Sequence, residues 1–165
     1  MTAARQQRKS PLAVGLALGL AVFGPIFVGS AISAPNDPVV VNASTGLAIS
    51  GFDPVAYFVD GKPKIGRANF ELRLDGVVWR FINKGNRAAF AENPEVYRPR
   101  FGGYDPVAIA RGNSVPGHPL FWAVDRQRLY LFYSAEARAT FLAEPAAVIE
   151  RATRKWPAVL QTIAP

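Results

Sequence analysis

Residues Val77 to Pro94, VVWRFINKGNRAAFAENP, decide how the rest of the chain is read, because a close variant follows at Arg128 to Pro145, RLYLFYSAEARATFLAEP. Phe81 aligns with Phe132, Arg87 with Arg138, Ala88 with Ala139, Phe90 with Phe141 and Pro94 with Pro145, a constant spacing of 51 positions. A second motif precedes each copy, Gly51-Phe52-Asp53-Pro54-Val55-Ala56 and Gly103-Tyr104-Asp105-Pro106-Val107-Ala108, at a spacing of 52. Two independent motifs repeated in the same order, with a one-residue loop difference between registers, indicate an internal duplication.

Within the first copy, Phe70, Leu72 and Leu74 alternate with Glu71, Arg73 and Asp75, the period of a half-buried strand. Asp75-Gly76 is a strong two-residue hairpin signal, and Val77, Trp79 and Phe81 continue the apolar face. Asn83 can cap a following helix anchored by Phe90 and ended at Asn93-Pro94. Val55 to Val59 reads as a short apolar strand after an Asp53-Pro54 turn. The second copy repeats the plan, with a short apolar element through Ala110, a loop from Gly112 to Pro119, a strand around Leu120 to Val124, and a returning strand from Leu129 to Tyr133. Arg126-Gln127 stands in place of Asp-Gly, which implies a different turn geometry there. Ser134 is a suitable N-cap, with Glu136 in the first turn. A last helix starts at Pro145 and is expected to stop at Pro157. Pro99 to Gly103 reads as the linker between the repeats. The expected fold is α+β, with two tandem β-hairpin–helix repeats (47–100 and 101–165) in one compact domain, preceded by an N-terminal apolar helix.

The 165 residues, half of them apolar, suffice for one core. Ser10 to Asn36 carries no charged side chain, and LAVGLALGLAVFGPIFVGSAI within it is long enough to cross a bilayer, which takes about 20 residues. Arg5, Arg8 and Lys9 precede it. Residues 1–34 therefore read as a signal peptide cleaved near Gly29-Ser30-Ala31 or as an uncleaved anchor with its basic end in the cytoplasm. Residues 35–46 read as a linker. The expected location is the periplasmic side of the inner membrane, or the periplasm if the segment is cleaved.

The absence of cysteine removes disulfides, thiolate ligands and thiol nucleophiles. One histidine, with no Gly-x-Ser-x-Gly, Walker or dinucleotide motif, argues against an enzyme. Outside the N-terminal segment sixteen basic residues face twelve acidic ones with no basic run, which argues against nucleic-acid binding. His118 can ligate copper or zinc if Asp53 and Asp105 converge on it; otherwise it is a loop histidine, and the aspartates build turns. Trp79, Trp122, Phe70, Phe81 and Phe132 are either core or the lining of an apolar groove.

GFDPVAYF with DGKP, WRF with NRAAF and NPEVY, then GGY, LYLFYS and KWP together resemble the exported bacterial YHS-domain proteins over residues 47 to 160. The resemblance implies hairpin–helix metal-binding modules whose ligand cysteines follow Asp-Pro-Val and the second hairpin strand. Here Ala56, Ala108, Ile82 and Tyr133 stand at those places, and Asp105 stands where relatives continue Gly-Gly-Tyr with Cys. No cofactor is expected. The function expected is a non-enzymatic binding or interaction module with a protein or small-molecule partner, tied to the membrane by its N-terminal helix. A copper or zinc binding or delivery protein is the alternative.

Overall fold

Asp53 and Asp105 hold equivalent places near the start of the two repeats, and in both the carboxylate caps a helical turn. In the computed structural model, which describes residues 38–163, Asp105 Oδ1 accepts the Val107 N–H at 2.8 Å and Pro106 opens helix α4 (Pro106–Ile109). Asp53 Oδ1 accepts from Val55 N–H at 2.8 Å and Ala56 N–H at 3.3 Å, at the start of α1 (Ala56–Val59). The apolar run expected as a strand is thus a helix. A short apolar run has no decisive period, and an N-capping Asp followed by Pro favours the helical turn.

Each repeat then forms an antiparallel hairpin. Strands β1 (Arg67–Leu74) and β2 (Val77–Phe81) make the first, and β3 (His118–Asp125) and β4 (Arg128–Phe132) the second. The registers coincide under the 51-residue shift: Leu72 pairs with Trp79 as Ala123 pairs with Tyr130, and the pairing shifts at Arg67/Glu71 as it does at His118/Trp122. Isolated contacts are duplicated too, Phe52 with Ile65 and Tyr104 with Pro116, Leu47 with Val78 and Pro99 with Leu129. Asp53 N–H donates to Lys64 O as Asp105 N–H donates to Val115 O, so the one-residue length difference lies between the Asp-Pro helix and the first hairpin strand.

The second hairpin turn corrects the expectation of a different geometry. Asp75 and Gly76 have φ of 50° and 77°, Arg126 and Gln127 have 46° and 61°. Both turns keep both central residues left-handed, the hand that matches strand twist. The Pro99–Gly103 stretch is likewise no simple linker. Phe101, Gly102 and Gly103 take positive φ as Ile49, Ser50 and Gly51 do, so it is the counterpart of that turn. Gly102 is required, because a Cβ there would sit 1.9 Å from Pro38 O; Val40 N–H donates to Gly102 O at 2.8 Å across this approach. Residues 38–42, within the expected linker, are thereby hydrogen-bonded to the folded part.

Helices α2 (Lys84–Glu92) and α5 (Ala135–Ala143) follow their hairpins, capped by Asn83 and Ser134 as expected. Phe90 lies 4.8 Å from the Trp79 ring and 5.2 Å from Phe81; Phe141 lies 5.0 Å from both Tyr130 and Phe132. Helix α3 (Pro94–Tyr97) leads into the second repeat. Helix α6 (Pro145–Ile163) runs through Pro157 instead of stopping there. An internal proline costs ~3 kcal/mol. Trp156 and Val159 are buried on either side of it, each such burial contributing ~1.5–3 kcal/mol, so packing outweighs the break.

Strand β4 joins the repeats. Its Tyr130 and Phe132 enter the core of repeat 2 with Phe101, Phe141 and α6, whereas Leu129 and Leu131 enter the core of repeat 1 with Trp79, Phe81 and Phe90. The α+β architecture of two small hairpins with helices is therefore one compact body over the described residues. No helix among them is long and apolar enough to cross a membrane, and the expected N-terminal span lies outside them.

Candidate functional site

The two aspartates expected as ligands are the structural hinges of their repeats. Asp53 is fully buried; besides the turn N–H groups taken by Oδ1, its Oδ2 accepts from Ile82 N–H at 2.9 Å and from the Asn86 carboxamide at 2.7 Å. The carboxylate thus fastens the Asp-Pro turn to the end of β2 and to the first turn of α2. Asp105, 2% exposed, fastens its own turn to the end of β4, with Oδ2 accepting from Tyr133 N–H at 3.0 Å. An ionised carboxylate accepting several N–H groups is a satisfied buried charge, and its removal orphans those donors.

His118 opens β3 rather than lying in a loop, opposite Phe132 in register, and is exposed. Its Nδ1 accepts from Leu120 N–H at 3.2 Å, and its ring lies 5.6 Å from Phe121. Among the described residues no group of three or more His, Cys, Asp or Glu side chains is arranged to hold a metal ion, so Asp53, Asp105 and His118 are not gathered into one.

Of the five aromatics weighed between core and groove, Trp79, Phe81 and Phe132 are fully buried and Phe70 is half-buried. Trp122 borders a recess. That recess, about 620 Å³, lies between the repeats, with Tyr57 and Phe58 from the first and Trp122, Arg126, Arg138 and Leu142 among its lining from the second. Tyr57 and Trp122 meet edge to face at 5.3 Å, and Tyr57 Oη donates to Pro119 O at 2.9 Å. Burial, aided by the nearby Asp53 charge, raises the Tyr57 phenol far above its ordinary value, so it remains a neutral donor. Arg138 Nε donates to Trp122 O at 2.6 Å, which fixes the guanidinium at the groove edge.

A smaller hollow of about 340 Å³ adjoins Asp105, with Arg111, Tyr133, Glu136 and Ala137 also on its walls. The Glu136 carboxyl is lowered below its usual range by the Ser134 side chain and by its own backbone N–H. Sequence reasoning missed Asn86, Arg111 and Ala137. The internal alignment carried the signal, since Asn86 and Ala137 occupy equivalent places 51 residues apart and differ in kind. Comparison with protein-family models, characterised proteins and solved structures finds no match for the chain.

Proposed function

We propose that the chain is a non-enzymatic binding module, held at the periplasmic face of the inner membrane by its N-terminal apolar segment. The observation that carries this reading is the groove between the repeats. Phe58, Trp122 and Leu142 offer it apolar surface over the buried Tyr57 ring, and Arg126 and Arg138 give its rim two cations. Aromatic and arginine side chains together are the residues that dominate protein interfaces, and this charge suits a partner presenting an acidic, apolar segment. The N-terminal segment matches the length and charge order of a membrane anchor.

The resemblance to exported YHS-domain proteins agrees with a duplicated hairpin–helix plan, and the chain reads as a cysteine-less, degenerate member. The copper or zinc alternative gains no support from the carboxylates, whose oxygens already accept backbone and amide N–H groups. Titration calorimetry of the full chain with copper and zinc should give no binding tighter than micromolar.

The test of the main reading is photo-crosslinking in cells from a probe at exposed Val124, which borders the groove, with a tagged full-length chain fractionated in parallel. A discrete adduct in the membrane fraction, abolished by Arg126→Glu, is the expected result. Adducts indifferent to Arg126→Glu, or recovery of the chain from the cytosol, would sink the proposal.

A further inference from the structure

The two Asp-centred staples are copies of one arrangement, and only one of them is complete. In repeat 1 the carboxamide of Asn86, itself buried, donates to Asp53 Oδ2 at 2.7 Å and so ties α2 to the staple. In repeat 2 that position is Ala137, which carries no donor and lines a hollow of about 340 Å³. Among the described residues, the Asp105 carboxylate on its wall accepts only from the Val107 and Tyr133 N–H groups, against four donors to Asp53. An ionised carboxyl has acceptor sites for about four donors, so Asp105 has capacity left on the side that Asn86 occupies in repeat 1.

We propose that this hollow binds a small zwitterion of amino-acid type, with its ammonium group donating to Asp105 Oδ2 and its carboxylate paired with Arg111. The charges on the walls set this polarity. The walls carry Asp105, which is 2% exposed, and Glu136 adds a second carboxylate, so a positive nitrogen is favoured there and a bare anion is repelled. Ser134 and Thr140 also line the hollow; Ser134 Oγ already accepts the Ala137 N–H, and Thr140 Oγ1, which donates to Glu136 O at 3.0 Å, retains acceptor capacity. Arg111 is exposed and borders the same hollow, and its guanidinium suits a carboxylate in a forked geometry. The volume is at the lower end of small-molecule sites, about 300–1,000 Å³. No lining residue is shared with the groove between the repeats, so the site stands apart from the interaction surface proposed above.

The test is a titration of the isotope-labelled full chain in detergent micelles with L-alanine, ethylammonium and propionate, followed at the backbone amides of Val107, Tyr133 and Ala137. L-alanine should shift these resonances saturably, ethylammonium should do so about tenfold more weakly for want of the Arg111 pair, and propionate should leave them unmoved. Arg111→Ala, a change at the exposed rim, should bring L-alanine down to the affinity of ethylammonium. Ala137→Asn installs the side chain that repeat 1 already accommodates, and should abolish the response to both amines with the fold intact. Response to propionate in place of the amines, undiminished binding in Ala137→Asn, or no saturable shift with any of the three probes would overturn the assignment.

Discussion

Repeat 1 and repeat 2 share one hairpin–helix plan down to the register shift in each first strand, yet they close their cores differently. Repeat 1 is closed by a neighbour: Leu129 and Leu131 on one face of β4 complete the core around Trp79, Phe81 and Phe90. Repeat 2 is closed by its own extension, α6, which packs on α4 and brings Val148, Ala152, Trp156 and Val159 into the cluster that holds Phe132 and Phe141. Because β4 is buried on both faces, its LYLF sequence alternates aliphatic side chains toward repeat 1 with aromatic ones toward repeat 2. A duplicated unit of this size lacks a complete core alone; the difference shows two ways in which the missing half is supplied.

The largest expected effects break both halves alike. Phe90→Ala and Phe141→Ala each remove a fully buried ring that holds a helix on its hairpin, and each should lower stability by about 3–5 kcal/mol in denaturant melts. Near-native midpoints for either would show that the two rings are not the anchors of equivalent cores.

Next in size is the contrast between the staples. Asp53→Ala orphans the Ile82 N–H and the buried Asn86 amide, while Asp105→Ala orphans the Tyr133 N–H with no amide beside it. An unpaired buried donor costs ~1–3 kcal/mol, so Asp53→Ala should be the more damaging by about that amount. Adding Asn86→Ala to Asp53→Ala should cost less than it does in the native background, a coupling that a double-mutant cycle reads directly. Equal losses for the two aspartate variants would remove the distinction on which repeat asymmetry rests.

Tyr57 sharpens the comparison through pH, because its counterpart in repeat 2 is Ile109, which does not titrate. Its folded-state pKa is raised above the unfolded value of 10.0, chiefly by burial and then by Asp53. Its contribution is therefore complete below pH 10 and is lost progressively as pH rises above it. Tyr57→Phe should cost ~1 kcal/mol at neutral pH through the lost bond to Pro119 O, and should flatten the alkaline fall in stability. Tyr104 and Tyr130, also raised by burial, keep part of that fall, so an alkaline limb unchanged by Tyr57→Phe would contradict the assignment.

The sequence carried the hairpins, both caps and the two phenylalanine anchors because each rests on a local pattern: two-residue alternation, a capping side chain, or a repeated aromatic. What it hid depended on contacts between distant segments. Pro157 looked like a stop because the opposing burial of Trp156 on Phe101 and Tyr104, with ring centres at 5.5 and 5.9 Å, is invisible locally. Asp53 and Asp105 were legible as turn formers through one oxygen; the second oxygen, which reaches 28 or 29 residues on, was not. The hollow beside Asp105 is lined by Ala137 where repeat 1 has Asn86, a difference that gains meaning only once the staple is seen.

The smallest expected effect lies in the hairpin turns. Asp75-Gly76 and Arg126-Gln127 take the same left-handed pair of conformations, but only the first places glycine at the second position. A side-chain-bearing residue in the left-handed region pays a steric cost of ~1–2 kcal/mol that glycine avoids. Glycine also loses more chain entropy on folding, which offsets about 0.5–1 kcal/mol of that relief. Gln127 is exposed and φ there is 61°, so Gln127→Gly gives up no buried contact. The balance predicts stabilisation by about 0.5–1 kcal/mol in the Gln127→Gly variant. Gly76→Ala, at φ 77° with open space around the added Cβ, should destabilise by a similar amount, because strain is then the dominant change. The two variants, melted side by side, test whether one turn geometry serves both repeats. Destabilisation of Gln127→Gly would mean that the second hairpin turns by a different path from the first.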